Sequence, residues 1–385
     1  MTIPGVHSMR RSHTTLASIA SAFIIGITLS SGVSDAEDPR SSVDARFDDI
    51  VSTARITGAM IIIYDERGLL YQRSAGTIGV DTAVPVASAS KWLTTAVIMS
   101  LVDEGQLSLD ATVRDYVDDA PESFGPITLR QLLNHTSGIE PQTVLQLRGA
   151  SSSRELAEAI FATQLIGRPG STFAYGGSSM QLAAYIAEVR MGKPWSQLFD
   201  ERLAHPLGMT SVTWVHPLAV SEAATSGDTG PQIARGGDGQ AGVDRLLGQG
   251  RAGSNVPLVA SGLSMSAGDL STFMQMILGF GQFDGVRVLS EASIQEMERL
   301  QTGTVADFRR VPVAMPAWRY GLGIWCEEVG SANACAVTNS AGAFGTVPWV
   351  DRSTGRAGVF VTRTQLPRIL TSVLELRDLS ESIQR

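Results

Sequence analysis

The chain has 385 residues, a formal net charge of -8, 43% hydrophobic residues and 18% charged residues. This composition is typical of a globular protein with a large core, and it excludes a disordered or collagen-like chain. The acidic balance, without a cluster of Lys and Arg, argues against nucleic acid as a partner, because binding to phosphates requires concentrated positive charge.

The first 36 residues have the pattern of an export signal. Arg10 and Arg11 provide a positive n-region, an uncharged stretch at 16–29 has the length of an h-region, and small residues precede Ala36 at the predicted cleavage position. We therefore expect a periplasmic or secreted protein with no stable membrane insertion after cleavage. The alternative is an uncleaved N-terminal anchor, although the apolar stretch is slightly short for a spanning helix.

The segment that follows predicts a β-hairpin. An apolar, β-branched run at 59–64 and a second strand at 69–74 flank a turn at 65–68. From Ser88 the pattern changes to a helix, because apolar residues recur at helical spacing and Gly105 supplies a stop.

Helices and loops are predicted for the middle of the chain, from about 96 to 314. The predicted helices lie at 129–134, 153–163, 180–189, 195–203 and 267–278. Ser266, with Asp269 three residues later, forms a variant capping box for the last of these helices. The Gly-rich polar stretch at 227–253 predicts a long surface loop.

Strand patterns return near the C-terminus. They lie at 320–325, 347–350 and 358–363, and a final amphipathic helix is predicted from about 367 to 383. Strands at both ends of the chain, with helices between them, predict one sheet built from both termini with an inserted helical domain.

The predicted domain organisation follows from this order of elements. Residues 1–36 form the signal peptide, 37–95 together with 315–385 form the α/β sheet domain, and 96–314 form the inserted helical domain.

The two cysteines leave two alternatives open. Cys326 and Cys335 flank a plausible turn at 329–332, so they could face each other across a hairpin. After export they would lie in an oxidising compartment, where a disulfide can persist. The alternative is two unpaired thiols in a loop.

Histidines are too few and too dispersed to predict a metal centre. Beyond the predicted signal only His135, His205 and His216 occur, and none has ligand-like spacing to another His or Cys. We expect no metal and no other cofactor.

A candidate nucleophile lies at the start of the helix that follows the hairpin. Ser88 and Lys91 are three residues apart, so both side chains lie on one helix face and the amine can reach the hydroxyl. A partly desolvated lysine can act as the base that a weak hydroxyl nucleophile needs, and the helix N-terminus favours developing negative charge. The alternative is a lysine that snorkels beside an N-capping serine.

Other hydrolase arrangements are less well supported. No Gly-x-Ser-x-Gly motif occurs, so the nucleophile elbow of the α/β-hydrolases is absent. A Ser-His-Asp triad would need one of three histidines, and both His205 and His216 precede a proline in predicted loop turns.

Six short segments form a further series of motifs, and they lie at 88–91, 132–138, 169–175, 206–209, 262–266 and 343–351. Their order and spacing resemble those of the serine β-lactamase-like family, which includes class C β-lactamases, DD-carboxypeptidases and carboxylesterases. The resemblance covers about residues 45 to 380. It implies an α/β (α+β) fold, with an antiparallel sheet flanked by helices, an inserted helical domain, and a site in the cleft between them.

The resemblance also implies roles for single residues. Ser88 matches the acylated nucleophile and Lys91 its base partner. Tyr175 matches the tyrosine whose phenol hydrogen-bonds to the nucleophile and relays its proton to the leaving group. His135 resembles a structural histidine in its turn, so we leave it out of the catalytic set.

The family's third motif falls on Ser340, Ala341 and Gly342. The amides of Ser88 and Ala343 would then form the oxyanion hole. Gln142 matches a substrate-facing amide, or it is a glutamine in a surface loop.

Two departures from the family pattern bear on the substrate. Gly177 stands where the tyrosine motif has Asn or Ser, and Ser340 stands where the third motif has Lys or His. Recognition of an anionic acyl donor is weakened, so the sequence favours an exported serine hydrolase of a small-molecule ester or amide. The alternatives are a β-lactamase or DD-carboxypeptidase acting on β-lactams or peptidoglycan peptides, and a catalytically silent cell-wall-binding or scaffold protein.

Overall fold

A computed structural model describes most of the chain. The described residues are 38–141, 150–214, 256–312 and 314–384. The predicted signal peptide, the predicted loop at 227–253 and Gln142 lie outside them. None of the helices in these ranges combines the length and the apolar character needed to cross a bilayer.

The regular elements are numbered in chain order over the described residues. The strands are β1 (Gly58–Asp65), β2 (Gly68–Gly76), β3 (Ala83–Pro85), β4 (Thr172–Ala174), β5 (Thr213–Trp214), β6 (Leu263–Ser266), β7 (Gln282–Phe283), β8 (Val286–Arg287), β9 (Asp307–Arg309), β10 (Arg319–Tyr320), β11 (Trp325–Val329), β12 (Cys335–Asn339), β13 (Val347–Asp351) and β14 (Arg356–Thr362). The α-helices are α1 (Pro39–Thr53), α2 (Ser90–Asp103), α3 (Leu129–Leu133), α4 (Ser153–Phe161), α5 (Ser178–Met191), α6 (Trp195–Phe199), α7 (Ala267–Leu278), α8 (Glu291–Met297) and α9 (Leu370–Ser380).

The main sheet combines strands from both ends of the chain. Its seven strands run in the order β10-β11-β12-β13-β14-β1-β2, and every neighbouring pair is antiparallel. The hairpin β1–β2 joins the C-terminal strands through β14, where Ile62 pairs with Val359. The predicted fold, an antiparallel sheet flanked by helices and built from both termini, is confirmed.

β1 is buried on both faces, and its alternating side chains contribute to two cores. Met60 and Ile62 belong to a large core that also contains residues of α2, α5 and α7, whereas Ile61 and Ile63 belong to a second core with residues of α1 and α9. Successive side chains of a strand point to opposite faces, so one apolar run supplies both layers.

Two predicted elements near the site have different bounds in the structure. The helix predicted from Ser88 begins at Ser90, and Ser88 lies in a 3-10 turn, Ala87–Ala89. The strand predicted at 320–325 is two strands, β10 and β11, which pair with each other across a tight turn where Gly323 has φ +71. An apolar run alone does not reveal such a reversal of direction.

Elsewhere the predicted helices are mostly present with shifted ends. The helix predicted at 195–203 is α6 followed by a π-helical turn, Asp200–Ala204, and the final helix α9 is preceded by a 3-10 turn, Leu366–Arg368. At α7, Ser266 accepts a hydrogen bond from the Asp269 amide as predicted, but the Asp269 carboxylate accepts from Ser211. The predicted domain boundary between 95 and 96 falls inside α2.

Of the two alternatives for the cysteines, the structure contains the disulfide. Cys326 in β11 is bonded to Cys335 in β12, with 5.3 Å between their Cα atoms. The bond therefore links the two strands of a hairpin, and the turn between them is centred on a 3-10 turn, Ser331–Asn333.

Candidate active site

Ser88 is presented by a short, strained turn between β3 and α2. The preceding residue, Ala87, has φ 48, a conformation that costs a non-glycine residue energy and is often retained at functional sites. Ser90 holds the turn, because its hydroxyl donates to the Ala87 carbonyl at 2.6 Å and accepts from the Leu263 amide at 3.2 Å. The Ser88 side chain is left half-buried.

Lys91 lies one turn later and is almost fully buried, with 3% of its surface exposed. Its Nζ donates to Ser88 Oγ at 3.3 Å and to the Ala260 carbonyl at 3.0 Å, and it lies 4.5 Å from the centre of the Tyr175 ring. Among the described residues, no carboxylate forms an ion pair with this amine. Within these ranges Lys91 is therefore held by hydrogen bonds and by the Tyr175 ring, and not by a salt bridge.

Tyr175 borders the amine from the other side of the site. It follows β4 directly and precedes the N-terminus of α5. Its ring stacks on Trp325, with 5.0 Å between ring centres and an interplanar angle of 27°, and it lies 4.8 Å from the ring centre of His135. These rings fix the plane of Tyr175 beside Lys91 Nζ.

His135 is buried behind Tyr175, with 1% of its surface exposed. Within the described parts of the chain, neither ring nitrogen has a hydrogen-bond partner. Burial, together with the positive charge of Lys91, holds the pKa of His135 well below its ordinary value of 6.5. The imidazole is therefore neutral at neutral pH and packs as an aromatic ring against Phe173, Tyr175 and Tyr320.

Ser340 directly follows β12 and contacts the backbone of Ser88. Its hydroxyl donates to the Ser88 carbonyl at 3.1 Å, and only 2% of the residue is exposed. Ser340 therefore holds the turn, and its hydroxyl is not free to face a substrate.

A tight turn after Ser340 brings Gly342 against the turn that carries Ser88, and Ala343 follows it. A Cβ at Gly342 would lie 2.1 Å from the Val86 carbonyl oxygen, so only glycine allows this approach. Ala343 is exposed. Neither the Ser88 amide nor the Ala343 amide donates a hydrogen bond to another group in the described residues, so both are available to bind an oxyanion.

The structure thus brings together most of the residues singled out in the sequence. Ser88, Lys91 and Tyr175 form one group, and Ser340 contacts Ser88 from the strand side. Gly177 is the N-cap of α5, two residues after Tyr175, and provides no side chain there.

Two contributors were not found from the sequence. The carbonyl of Ala260 has no side-chain signature, and the position of Trp325 against Tyr175 depends on how β11 pairs in the sheet. Across the part of the chain that the structure describes, no three side chains of metal-binding types lie together.

Known proteins with similar sequences and folds place this chain in a family. A model of the Beta-lactamase family matches residues 43–376. Esterase EstB of Burkholderia gladioli is 25% identical over 373 residues, which cover 86% of this chain and 92% of the esterase. The D-alanyl-D-alanine-carboxypeptidase/endopeptidase AmpH of Escherichia coli (strain K12) is 27% identical over 225 residues, which cover 54% of this chain and 58% of AmpH.

The fold agrees with these similarities. The crystal structure of a candidate beta-lactamase from Bacteroides dorei DSM 17855 matches with a TM-score of 0.69 at 28% identity, covering 84% of this chain and 90% of that one. The family model spans most of the chain, and the resemblance found in the sequence motifs is confirmed. The chain belongs to the Beta-lactamase family.

Proposed function

We propose that this protein is an exported serine hydrolase that cleaves a small-molecule ester or amide through a covalent acyl-enzyme on Ser88. The observation that carries the proposal is the buried Lys91 amine, 3.3 Å from Ser88 Oγ and without a carboxylate partner in the described residues. Export is proposed from the charge and apolar pattern of the first 36 residues.

In the acylation step, Ser88 Oγ forms a bond to the substrate carbonyl carbon and its proton passes to Lys91 Nζ. The carbonyl oxygen becomes an oxyanion, which the free amides of Ser88 and Ala343 bind. The bond to the leaving group then breaks, and Tyr175 relays a proton to the departing alcohol or amine.

Deacylation repeats the same chemistry with water as the nucleophile. Water attacks the acyl carbon and gives a proton to the Lys91 and Tyr175 pair. The bond to Ser88 Oγ then breaks, and the pair returns that proton to Ser88 Oγ. The products are a carboxylic acid and the free Ser88 hydroxyl, so no co-reactant other than water is consumed.

A neutral acyl donor suits the site better than an anionic one. The hydroxyl of Ser340 donates a hydrogen bond to the Ser88 carbonyl, and Gly177 has no side chain that could bind a carboxylate. Of the relatives described above, EstB is named an esterase and is matched over 92% of its length. Both observations support an ester as the substrate.

A β-lactam or a peptidoglycan peptide is the second candidate substrate. AmpH, which is named a carboxypeptidase, shares 27% identity over 54% of this chain. A catalytically silent cell-wall-binding or scaffold protein is the remaining alternative, and the labelling experiment below separates it from an enzyme.

The proposal is tested by intact-protein mass spectrometry after incubation with a fluorophosphonate probe and, separately, with penicillin. We expect one fluorophosphonate adduct on the wild-type protein and none on Ser88→Ala. The exposed Ser382 provides the matched control, because Ser382→Ala should label as the wild type does. An adduct that persists in Ser88→Ala would refute the assignment, and an unreactive wild type would favour the silent alternative.

The substrate preference is tested by comparing catalytic efficiencies for p-nitrophenyl butyrate and nitrocefin. A hydrogen bond to a charged group is worth about 1.5–3 kcal/mol, so a missing partner for the carboxylate should lower efficiency roughly 10-fold to 100-fold. We therefore expect the neutral ester to be preferred. A ratio that favours nitrocefin would withdraw the esterase preference while leaving the acyl-enzyme in place.

A further inference from the structure

The Ala260 carbonyl that binds Lys91 belongs to a buried segment without regular secondary structure, residues 257–260. Leu258, Val259 and Ala260 are all buried. The backbone of a buried loop must find hydrogen-bond partners inside the protein, because water cannot reach it. Its partners therefore decide where the Ala260 carbonyl points.

Gln181 of α5 supplies two of these partners, although it is itself 97% buried. Its Nε2 donates to the Pro257 carbonyl at 3.2 Å, and its Oε1 accepts from the Val259 amide at 3.3 Å. The side-chain amide of Gln181 has one orientation that satisfies both hydrogen bonds, so Gln181 fixes the backbone on both sides of Leu258.

Thr94 of α2 holds the next peptide group. Its hydroxyl donates to the Val259 carbonyl at 2.8 Å, and its side chain is fully buried. The Val259 carbonyl belongs to the peptide unit that enters Ala260, so Thr94 fixes the chain immediately before this residue. The Ala260 carbonyl belongs to the next peptide unit, whose amide donates to the Leu258 carbonyl at 3.0 Å. Thr94 also follows Lys91 by three residues and lies on the same face of α2.

These bonds have a consequence for the amine. A neutral lysine amine has two N–H donors and one lone pair, and only the lone pair can accept a proton. When one N–H donates to the Ala260 carbonyl, the direction of that carbonyl restricts the torsion about the Cε–Nζ bond. A fixed carbonyl thereby keeps the lone pair within reach of Ser88 Oγ.

We propose that Gln181 and Thr94 are positioning residues for the base: they orient the Ala260 carbonyl, which in turn orients Lys91 Nζ toward Ser88. The inference rests on the proposed function of Ser88 and Lys91. Neither Gln181 nor Thr94 touches the reacting atoms, so their effect is transmitted through residues 257–260.

The test uses the full chain with Thr94→Val and Gln181→Met, which keep side-chain size and remove the hydrogen bonds. We expect kcat for p-nitrophenyl butyrate, and the rate of fluorophosphonate labelling, to fall about 10-fold to 100-fold, because a buried hydrogen bond and its unsatisfied partner are worth about this factor. KM should change by less than about threefold, since the substrate surface is untouched. Thr94→Ser, which restores a hydroxyl, should recover most of the lost rate.

Thr362→Val is the matched control, because Thr362 is fully buried and its hydroxyl donates to the Gly58 carbonyl at 2.7 Å within the sheet. It should lower thermal stability as Thr94→Val does and leave kcat unchanged. If Thr94→Val does not fold, Gln181→Met decides the question from the other helix.

Two results would overturn the inference: wild-type kcat in a folded Thr94→Val or Gln181→Met, or an equal loss of kcat in Thr362→Val. Its failure can be distinguished from failure of the proposed function. A wild-type protein that labels on Ser88, with variants that label equally fast, refutes the positioning role alone. A wild-type protein that does not label refutes the proposed function itself.

Discussion

Lys91 is surrounded by groups that hold an amine in place and do not neutralise it. Ser88 Oγ and the Ala260 carbonyl accept its hydrogen bonds, and the Tyr175 ring covers it. None of these groups is a carboxylate. A carboxylate partner would instead favour the ammonium form permanently.

Replacing Lys91 with Arg tests this reading, because arginine keeps the charge and cannot give up its proton near neutral pH. We expect kcat/KM to fall about 10²-fold to 10⁴-fold, the range of general base catalysis. The second lysine of the chain is a natural control: Lys193 is partly exposed and pairs with Glu201 at 2.7 Å, so Lys193→Arg should keep full activity. Substantial turnover by Lys91→Arg would move the search for the base to Tyr175.

The lowered pKa of His135 predicts how the stability of the protein depends on pH. Its pKa in the folded protein lies well below 6.5, so below that pH the unfolded chain binds a proton that the folded protein does not. The stability due to neutral His135 is therefore fully present above pH 6.5 and decreases as the pH falls, by up to about 1.4 kcal/mol per pH unit.

His135→Phe removes the titrating group and keeps a ring. Its absolute stability should be lower, since φ 58 is unfavourable for phenylalanine. Denaturant unfolding between about pH 5 and pH 8 should nevertheless show a wild-type curve that declines toward acid more steeply than the variant's. Parallel curves would mean that His135 binds a proton as readily in the folded protein as in the unfolded chain, which would contradict the lowered pKa.

At the scale of elements, the site depends on a close approach of two turns. The turn after β12 contacts the turn that carries Ser88 through the Ser340 hydroxyl and through the bare Cα of Gly342. The disulfide between Cys326 and Cys335 joins β12 to β11, whose first residue, Trp325, stacks on Tyr175. One hairpin therefore supports both sides of the site.

Gly342→Ala tests this approach. The new Cβ would lie 2.1 Å from the Val86 carbonyl, so one of the two turns must move. We expect a loss of about 1–3 kcal/mol in the free energy of unfolding, the usual effect of overpacking. Fluorophosphonate labelling should slow at least about 10-fold, because the amide of Ala343, which we propose as an oxyanion-hole donor, would be displaced.

The control is Gly79→Ala, where the nearest atom to a new Cβ is 3.8 Å away, so neither stability nor labelling should change appreciably. Unchanged labelling by Gly342→Ala would show that the turn after Ser340 takes no part in acylation.

At the scale of the whole molecule, the larger of the two cores contains residues of both the sheet and the helices. β1 and β14 meet from opposite ends of the chain, and the same apolar cluster contains Met60 of β1, Trp92 of α2 and Phe273 of α7. Helix α2 also crosses the predicted domain boundary between 95 and 96. We therefore expect the two predicted domains to unfold together.

We accordingly expect a single cooperative transition in denaturant. Tryptophan fluorescence and far-UV circular dichroism should give coincident midpoints, since the buried tryptophans belong to elements from across the chain. Two separated transitions would instead support independent folding of the 96–314 domain.

The sequence by itself predicted the class of fold and the proximity of Ser88 and Lys91, which lie 3.3 Å apart at Oγ and Nζ. Apolar runs at both ends of the chain and helical spacing between them are local patterns, and they predicted a sheet built from both termini. The Ser88–Lys91 spacing is also local, because one helical turn fixes the distance between the side chains. The antiparallel arrangement and the match to Tyr175 required the family resemblance as well.

Only the tertiary structure decided the groups that surround this pair. A backbone carbonyl such as that of Ala260 has no sequence signature, and its direction depends on Gln181 and Thr94 from two different helices. The family resemblance predicted that Ser340 lies beside the nucleophile. The hydrogen bond from its hydroxyl to the Ser88 carbonyl could not be predicted from the sequence. Contacts between segments far apart in the chain are set by the packing of whole elements, and no local pattern of residues encodes them.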